Sequence, residues 1–211
     1  FMKTEEIDPS QLYESYSAGM YDYAGFDELI ANLMKAILER KNCFVRYYNA
    51  DEEKNKGFYI EPRRLVYYSG SLYVICYIRR FDNFVLLAVQ RIHNLKLQDT
   101  VFPDEPVFDA QSFWAGKFGL FAAESTLVRL KFNKGIRHHI EGRTWHPSQS
   151  FDSDSDGNLF LEMRVGVTPE LISWILGWSD YVKVKEPPEL FEKVKERIQA
   201  MADIYRGGKS K

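Results

Sequence analysis

Apolar residues recur at helical spacing between residues 26 and 41, where Leu29, Ile30, Leu33, Met34, Ile37 and Leu38 fall on one face. Asp27 is placed to cap this helix, Glu28 adds negative charge to its first turn, and Arg40 and Lys41 close its last. The period then changes. Residues 43–49, 58–68, 72–79, 84–90 and 92–98 are short runs rich in Tyr, Val, Ile and Phe. Most are separated by turn signals: Asn49 to Gly57, Ser69-Gly70-Ser71 and Asp82-Asn83. A helix followed by five closely spaced strands predicts a small, strongly bent antiparallel barrel.

Residues 99–110, with Pro103 and Pro106, read as a linker, followed by a short amphipathic segment around Phe113 and Trp114. Beyond it, Thr126–Phe132 alternates as a strand and Asn133–Glu141 is helix-like. Strands near Trp145–Phe151 and at Leu159–Val165 flank a polar turn over 152–158. Thr168-Pro169-Glu170 opens a helix that Gly177 ends, with Thr as cap and Pro at the first helical position. Tyr181–Lys185 is a last strand. Pro187-Pro188 start a closing helix with the stripe Leu190, Val194, Ile198, Met201 and Tyr205. The order β-α-β-β-α-β-α predicts a split βαβ sandwich of the ferredoxin-like kind. The chain is therefore expected to be α+β, in two modules.

Composition excludes several classes. With 211 residues, 45% hydrophobic content, 8 prolines and 13 glycines, this is no low-complexity chain. No run approaches the roughly 20 apolar residues of a membrane span, and the acidic first thirty residues hold no apolar core of a signal peptide. Cys43 and Cys76 lie in apolar strand-like runs, as buried thiols of a reducing compartment do, so a cytoplasmic location is expected. The net charge of −2 is unevenly spread. Residues 1–30 hold Lys3 against seven acidic residues, whereas residues 31–100 hold twelve basic and seven acidic ones. A basic stretch of this kind points to an anionic partner.

The run from Cys43 to Leu97 resembles a WYL domain, the Sm-like barrel of bacterial transcriptional regulators. The resemblance rests on Val45-x-Tyr47, Pro62-x-x-Leu65, Gly70-x-Leu72-Tyr73-Val74 and Gln90-Arg91-Ile92. Residues 118–205 resemble the C-terminal extension that follows such domains. Here the match is carried by Phe118-Gly119, Val128-Arg129-Leu130, Trp145-His146-Pro147-Ser148-Gln149, Asp156-Gly157, Trp174-Ile175-Leu176-Gly177 and Pro187-Pro188-Glu189-Leu190. The chain then divides into an acidic segment (1–25), a WYL barrel with its leading helix (26–98), a linker (99–117), a ferredoxin-like extension (118–205) and a tail (206–211).

The resemblance implies the ligand-sensing and dimerising part of a transcriptional regulator, with a nucleotide or oligonucleotide effector at the barrel. Such proteins contact DNA through a helix-turn-helix ahead of these modules. None is recognisable before residue 26 here, and Phe1 ahead of Met2 has the look of a cloned fragment. The sequence also departs from the family pattern. Trp-Tyr-Leu is Leu72-Tyr73-Val74, and the strand Arg-x-Phe-Arg-Leu-Asp-Arg-Ile is Val85-Leu86-Leu87-Ala88-Val89-Gln90-Arg91-Ile92. The arginine usually four residues before the proline is Phe58. These strands have lost guanidinium forks that would grip phosphate.

Tyr73, Arg79 and Arg91, with Arg46, Arg80 and Arg63, remain the candidate ligand-binding residues. Strand alternation would set Tyr73, Tyr77 and Arg79 on one face, and aromatic rings beside arginines suit single-stranded nucleic acid. Two other readings stand beside the sensor: a direct single-strand-binding module, and a structural dimerisation domain with a vestigial pocket.

Catalysis is not expected. Asp152-x-Asp154-x-Asp156-Gly157 imitates a calcium loop, but position twelve is Met163, so it reads as a hairpin turn. Adjacent His138 and His139 should point apart, and no cysteine spacing supports zinc. Ser148 and His146 lie two residues apart without a nucleophile-elbow motif, and no glycine loop cradles phosphate. No cofactor is implied.

Overall fold

A computed structural model of the chain describes residues 18–207. Most of the acidic segment expected at 1–25, and the end of the tail expected at 206–211, lie outside the described residues. The chain forms two compact units that divide between Asp109 and Ala110. Among the described residues no helix is long and apolar enough to cross a membrane.

The first unit opens with helix α1 (Asp27–Glu39). Phe26, not Asp27, holds the N-cap position, and Asp27 and Glu28 both lie in the first turn, where their charge suits the helix dipole. Arg40 closes α1 in the left-handed conformation. Leu33 and Ala36 are fully buried, while Met34 and Leu38, on the same stripe in sequence, are exposed.

Five strands follow: β1 (Lys41–Asn49), β2 (Lys54–Tyr68), β3 (Ser71–Ile78), β4 (Asn83–Ala88) and β5 (Ile92–Val101). They pair antiparallel in the order β4-β3-β2-β1-β5. Strand β2 is the spine: its first half pairs with β1 and its second with β3, with a register shift between Pro62 and Arg64. Proline has no N–H for the ladder, so the pairing breaks there and the sheet bends. The bend wraps both halves around a core of Leu33, Ala36, Cys43, Val45, Ile60, Val74 and Cys76.

The sheet does not close. No ladder joins β4 to β5, so the expected closed barrel is an open, bent sheet with these two strands at its edges. The 3-10 turn Val89–Arg91 carries the chain from β4 into β5, which pairs with β1 instead, from Ile92 opposite Tyr47 onward.

The second unit contains α2 (Ala110–Trp114), β6 (Ser125–Phe132), α3 (Arg137–Glu141), β7 (Ser150–Ser153), β8 (Leu159–Gly166), α4 (Pro169–Leu176), β9 (Val182–Glu186) and α5 (Pro188–Tyr205). Its four strands are antiparallel in the order β7-β8-β6-β9. Alternate residues of the central strands, Val128, Leu130 and Phe132 with Leu159, Leu161, Met163 and Val165, face one core with Leu171, Ile175, Leu190 and Val194 of the helices. The Thr168 side chain caps α4 by accepting from the Leu171 N–H. The apolar stripe of α5 outruns this core: Leu190 and Val194 are buried, but Ile198, Met201 and Tyr205 are exposed.

Candidate functional site

The bend in β2 brings an acidic side chain inside. Glu61 is 3% exposed, in a position where a carboxylate needs partners. It has two. Arg63 Nη2 donates to Glu61 Oε2 at 2.9 Å, and Arg79 Nε donates to Oε1 while its Nη2 lies 3.4 Å from Oε2. One carboxylate thus serves two guanidinium groups, and Arg63 Nη1 is buried without a partner among the described residues. The cluster carries a surplus positive charge.

Glu61 and Arg79 line a cleft of about 920 Å³. One wall comes from β1 and β2, with Tyr47, Lys56, Phe58 and Ile60. The other is the β3–β4 hairpin, with Ile78, Arg80, Phe81, Val85 and Leu87. Most of this lining is apolar or aromatic, and the charged groups gather where Glu61 meets the hairpin turn. Lys56 is paired with Glu52. Arg80 lies over the Phe81 ring and has no ion pair among the described residues. An apolar hollow with a few convergent polar groups is the form small-molecule sites take.

Of the residues singled out in the sequence, Arg79 and Arg80 line the cleft and Tyr73, Arg91, Arg46 and Arg63 do not. Arg79 lies outside β3, in the 3-10 turn Arg79–Phe81, so strand alternation does not align it with Tyr73 and Tyr77. Tyr73 pairs with Ala88 at the far end of the ladder, next to the turn that holds Arg91. Arg79 and Arg91 therefore flank opposite ends of β4, six residues or roughly 20 Å of extended chain. Arg46 is exposed on the outer face of β1. Arg63 is turned into the Glu61 pair, with Phe102 4.0 Å from its guanidinium. Glu61, Tyr47 and Phe81 also line the cleft and are not among those candidates. A lone acid within the apolar run of β2, beside two arginines, was the available signal.

A second surface lies on the outer face of β5, β1 and β2. Phe44, Arg46 and Tyr48 alternate with the buried Cys43 and Val45, so they point away from the core. Phe44 packs edge-on to Tyr59 at 5.2 Å, and Tyr48 stacks on His93 at 6.2 Å. Lys96 stands opposite Phe44 on β5.

In the second unit the singled-out motifs serve local structure. Trp145–Gln149 is a turn, not the expected strand. Gln149 Oε1 accepts from the Trp145 and His146 N–H groups, and its amide donates to the Arg143 carbonyl. Trp145, Trp174 and Trp178 pack with Phe132 in one aromatic cluster. Asp154 closes the acidic turn, accepting from the Asp156 and Asn158 N–H groups and pairing with Lys131 at 2.8 Å. The Lys131 ammonium and the Asn158 side-chain amide and N–H hold its carboxyl well below the usual range. The His138 and His139 rings lie 4.0 Å apart, side by side and not divergent. No group of three His, Cys, Asp or Glu side chains suited to a metal occurs among the described residues.

Comparison with known proteins agrees with this division. No curated protein matches the chain. Among solved structures, proteasome accessory factor B/C (PafBC) of Arthrobacter aurescens is similar over 87% of this chain and 28% of its own, at 17% identity and a TM-score of 0.39. A CRISPR Cas-related protein is similar over 87% of this chain and 53% of its own, at 13% identity and a TM-score of 0.57, a likeness of fold. The chain thus spans less than two thirds of either structure. Residues 28–97 match the WYL domain and residues 124–202 the WCX domain. The chain belongs to the WYL-domain proteins, its WYL domain followed by a WCX domain.

Proposed function

We propose that this chain is the effector-sensing and dimerising part of a bacterial transcriptional regulator, acting in the cytoplasm without catalysis. Its DNA contact would be made through a helix-turn-helix outside the chain. The effector is a nucleotide or nucleic-acid-like anion held at the WYL domain. The observation that carries this reading is the cleft, where aromatic and apolar walls meet the guanidinium groups of Arg79 and Arg80. Arg80 has no ion pair among the described residues, and an anion in the cleft would supply one. In finer terms the first unit is read as an Sm-like barrel left open, and the second, from the strand order β7-β8-β6-β9, as ferredoxin-like.

The second reading, direct binding of single strands, draws on the outer face with Phe44, Tyr59, Tyr48, His93 and Arg46. Titration calorimetry with adenosine 5′-monophosphate and with a single-stranded oligonucleotide separates the two. A mononucleotide that binds wild type and fails with Arg80→Ala supports the sensor. Oligonucleotide affinity that falls by about 0.7 log unit per phosphate for each log unit of salt, and is lost with Arg46→Ala but not Arg80→Ala, supports the platform. If neither ligand binds, the effector reading fails.

A further inference from the structure

The arginines of the first unit do more than line a cleft: they hold the chain that leaves it. After β5, residues 102–108 run across the bend as a strap. Phe102 is 4% exposed beneath the Arg63 guanidinium, its N–H bonds the Arg40 carbonyl, and Arg40 Nη2 donates back to the Phe102 carbonyl at 3.0 Å. Arg40 also pairs with Asp104. Phe108 lies 5.3 Å from the Phe84 ring and 5.4 Å from the Arg64 guanidinium. Between these two anchors, Arg79 Nη2 donates to the Glu105 carbonyl at 3.2 Å.

Arg79 is therefore shared. Its side chain lines the cleft, its Nε and Nη2 face Glu61, and the same Nη2 holds the middle of the strap. A second anion that grips Arg79 with two N–H groups must use Nη2, whose remaining N–H holds the Glu105 carbonyl, so it competes with the strap. Glu61 keeps Arg63 whatever Arg79 does, so giving up Arg79 does not leave the buried carboxylate bare. Arg79 is itself half exposed, which makes it the member of the cluster that can exchange partners.

We propose that Arg79 is the coupling residue between cleft and strap: an anionic group on an aromatic body, entering the cleft beside Arg80, draws Arg79 away from Glu61 and from the Glu105 carbonyl. The strap then loses its central anchor while Phe102 and Phe108 still hold its ends. This rests on the sensor reading above and names its regulation and the ligand chemistry it needs. A ligand moves such an equilibrium only through its different affinity for the two arrangements, and here the difference is the new ion pair with Arg79.

The test is hydrogen exchange of the full chain, read on the peptide covering 102–109, with phenyl phosphate as probe. Without any anion, Arg79→Ala and Arg79→Lys should exchange this segment about tenfold faster than wild type, and Arg80→Ala should not. Wild-type strap exchange that persists in both Arg79 variants overturns the clamp, whatever the effector proves to be. Saturating phenyl phosphate should bring wild type to the Arg79→Ala rate and leave Arg79→Ala unchanged, while inorganic phosphate, lacking the aromatic body, should do so far less. A strap that does not respond to phenyl phosphate overturns the exchange of partners, even where the variants support the clamp.

Discussion

Arg63 and Glu61 lie on either side of the Pro62 bulge in β2, their side chains 10% and 4% exposed, and form an ion pair of 2.9 Å. Charges this well buried contribute little net stability as a pair but are costly to separate. Removing the carboxylate leaves two guanidinium groups facing each other, one of them buried. Glu61→Ala should lower unfolding stability by about 3–5 kcal/mol. Arg79→Ala should cost far less, because Arg79 is half exposed and Glu61 keeps Arg63. Urea unfolding of the two variants checks this, and equal losses would contradict it.

Gly119 adopts φ +90°, and a Cβ there would lie 2.3 Å from Glu170 Oε2. That carboxylate accepts from the Leu120 N–H at 2.7 Å and the Phe121 N–H at 3.0 Å, tying the approach to β6 onto the first turn of α4. Gly119→Ala therefore adds backbone strain and displaces the acceptor of two N–H groups, for an expected loss of about 2–4 kcal/mol. Glu170→Ala removes the clash partner along with the bonds. The double variant should lose less than the sum of the single losses in a urea-unfolding cycle, and simple additivity would refute the contact.

His146 should make stability pH-dependent. The Ser148 N–H donates to its Nδ1 at 3.1 Å, and the Ser148 hydroxyl lies 2.7 Å away, so Nδ1 is an acceptor and the proton sits on Nε2. Burial pushes the imidazole below its ordinary 6.5. The unfolded chain takes up its proton near that ordinary value, while the folded chain does so only at lower pH. Between the two the unfolded state binds more protons, so stability falls as pH drops through this window and is fully present above it. His146→Asn, which keeps an acceptor and does not titrate, should flatten the dependence of the urea midpoint between about pH 7 and pH 5. Parallel curves for the two proteins would assign the dependence elsewhere.

Local chemistry was legible along the chain and tertiary chemistry was not. Thr168-Pro169 announced α4 because cap and first turn lie within four residues and need no partner elsewhere. The pairing of Glu61 with Arg79 spans eighteen positions and depends on the bend, so Arg79 read as a free ligand group when it was already engaged. The stretch near Trp145–Phe151 reads as a strand, but Gln149 folds back onto the Trp145 and His146 N–H groups and β7 begins only at Ser150. Helical period identified the stripes of α1 and α5, yet Leu38 and Tyr205 are exposed. A period states which residues share a face; only the fold states how far the core extends beneath it.

Cys43 and Cys76 are both fully buried in the core of the first unit. Burial pushes the Cys43 thiol up to about 12 and the Cys76 thiol higher still. The thiolate is the reactive form. At pH 8 a thiol with that value is ionised to about one part in ten thousand, against roughly a quarter for an unperturbed cysteine. Neither thiol should therefore react with a disulfide reagent in the folded protein, and both should be titrated fully in urea. In native conditions the modification rate should follow opening of the sheet and rise with sub-denaturing urea. Prompt modification of either thiol at pH 8 without denaturant would mean that the space between the two halves of the bent sheet is open to solvent.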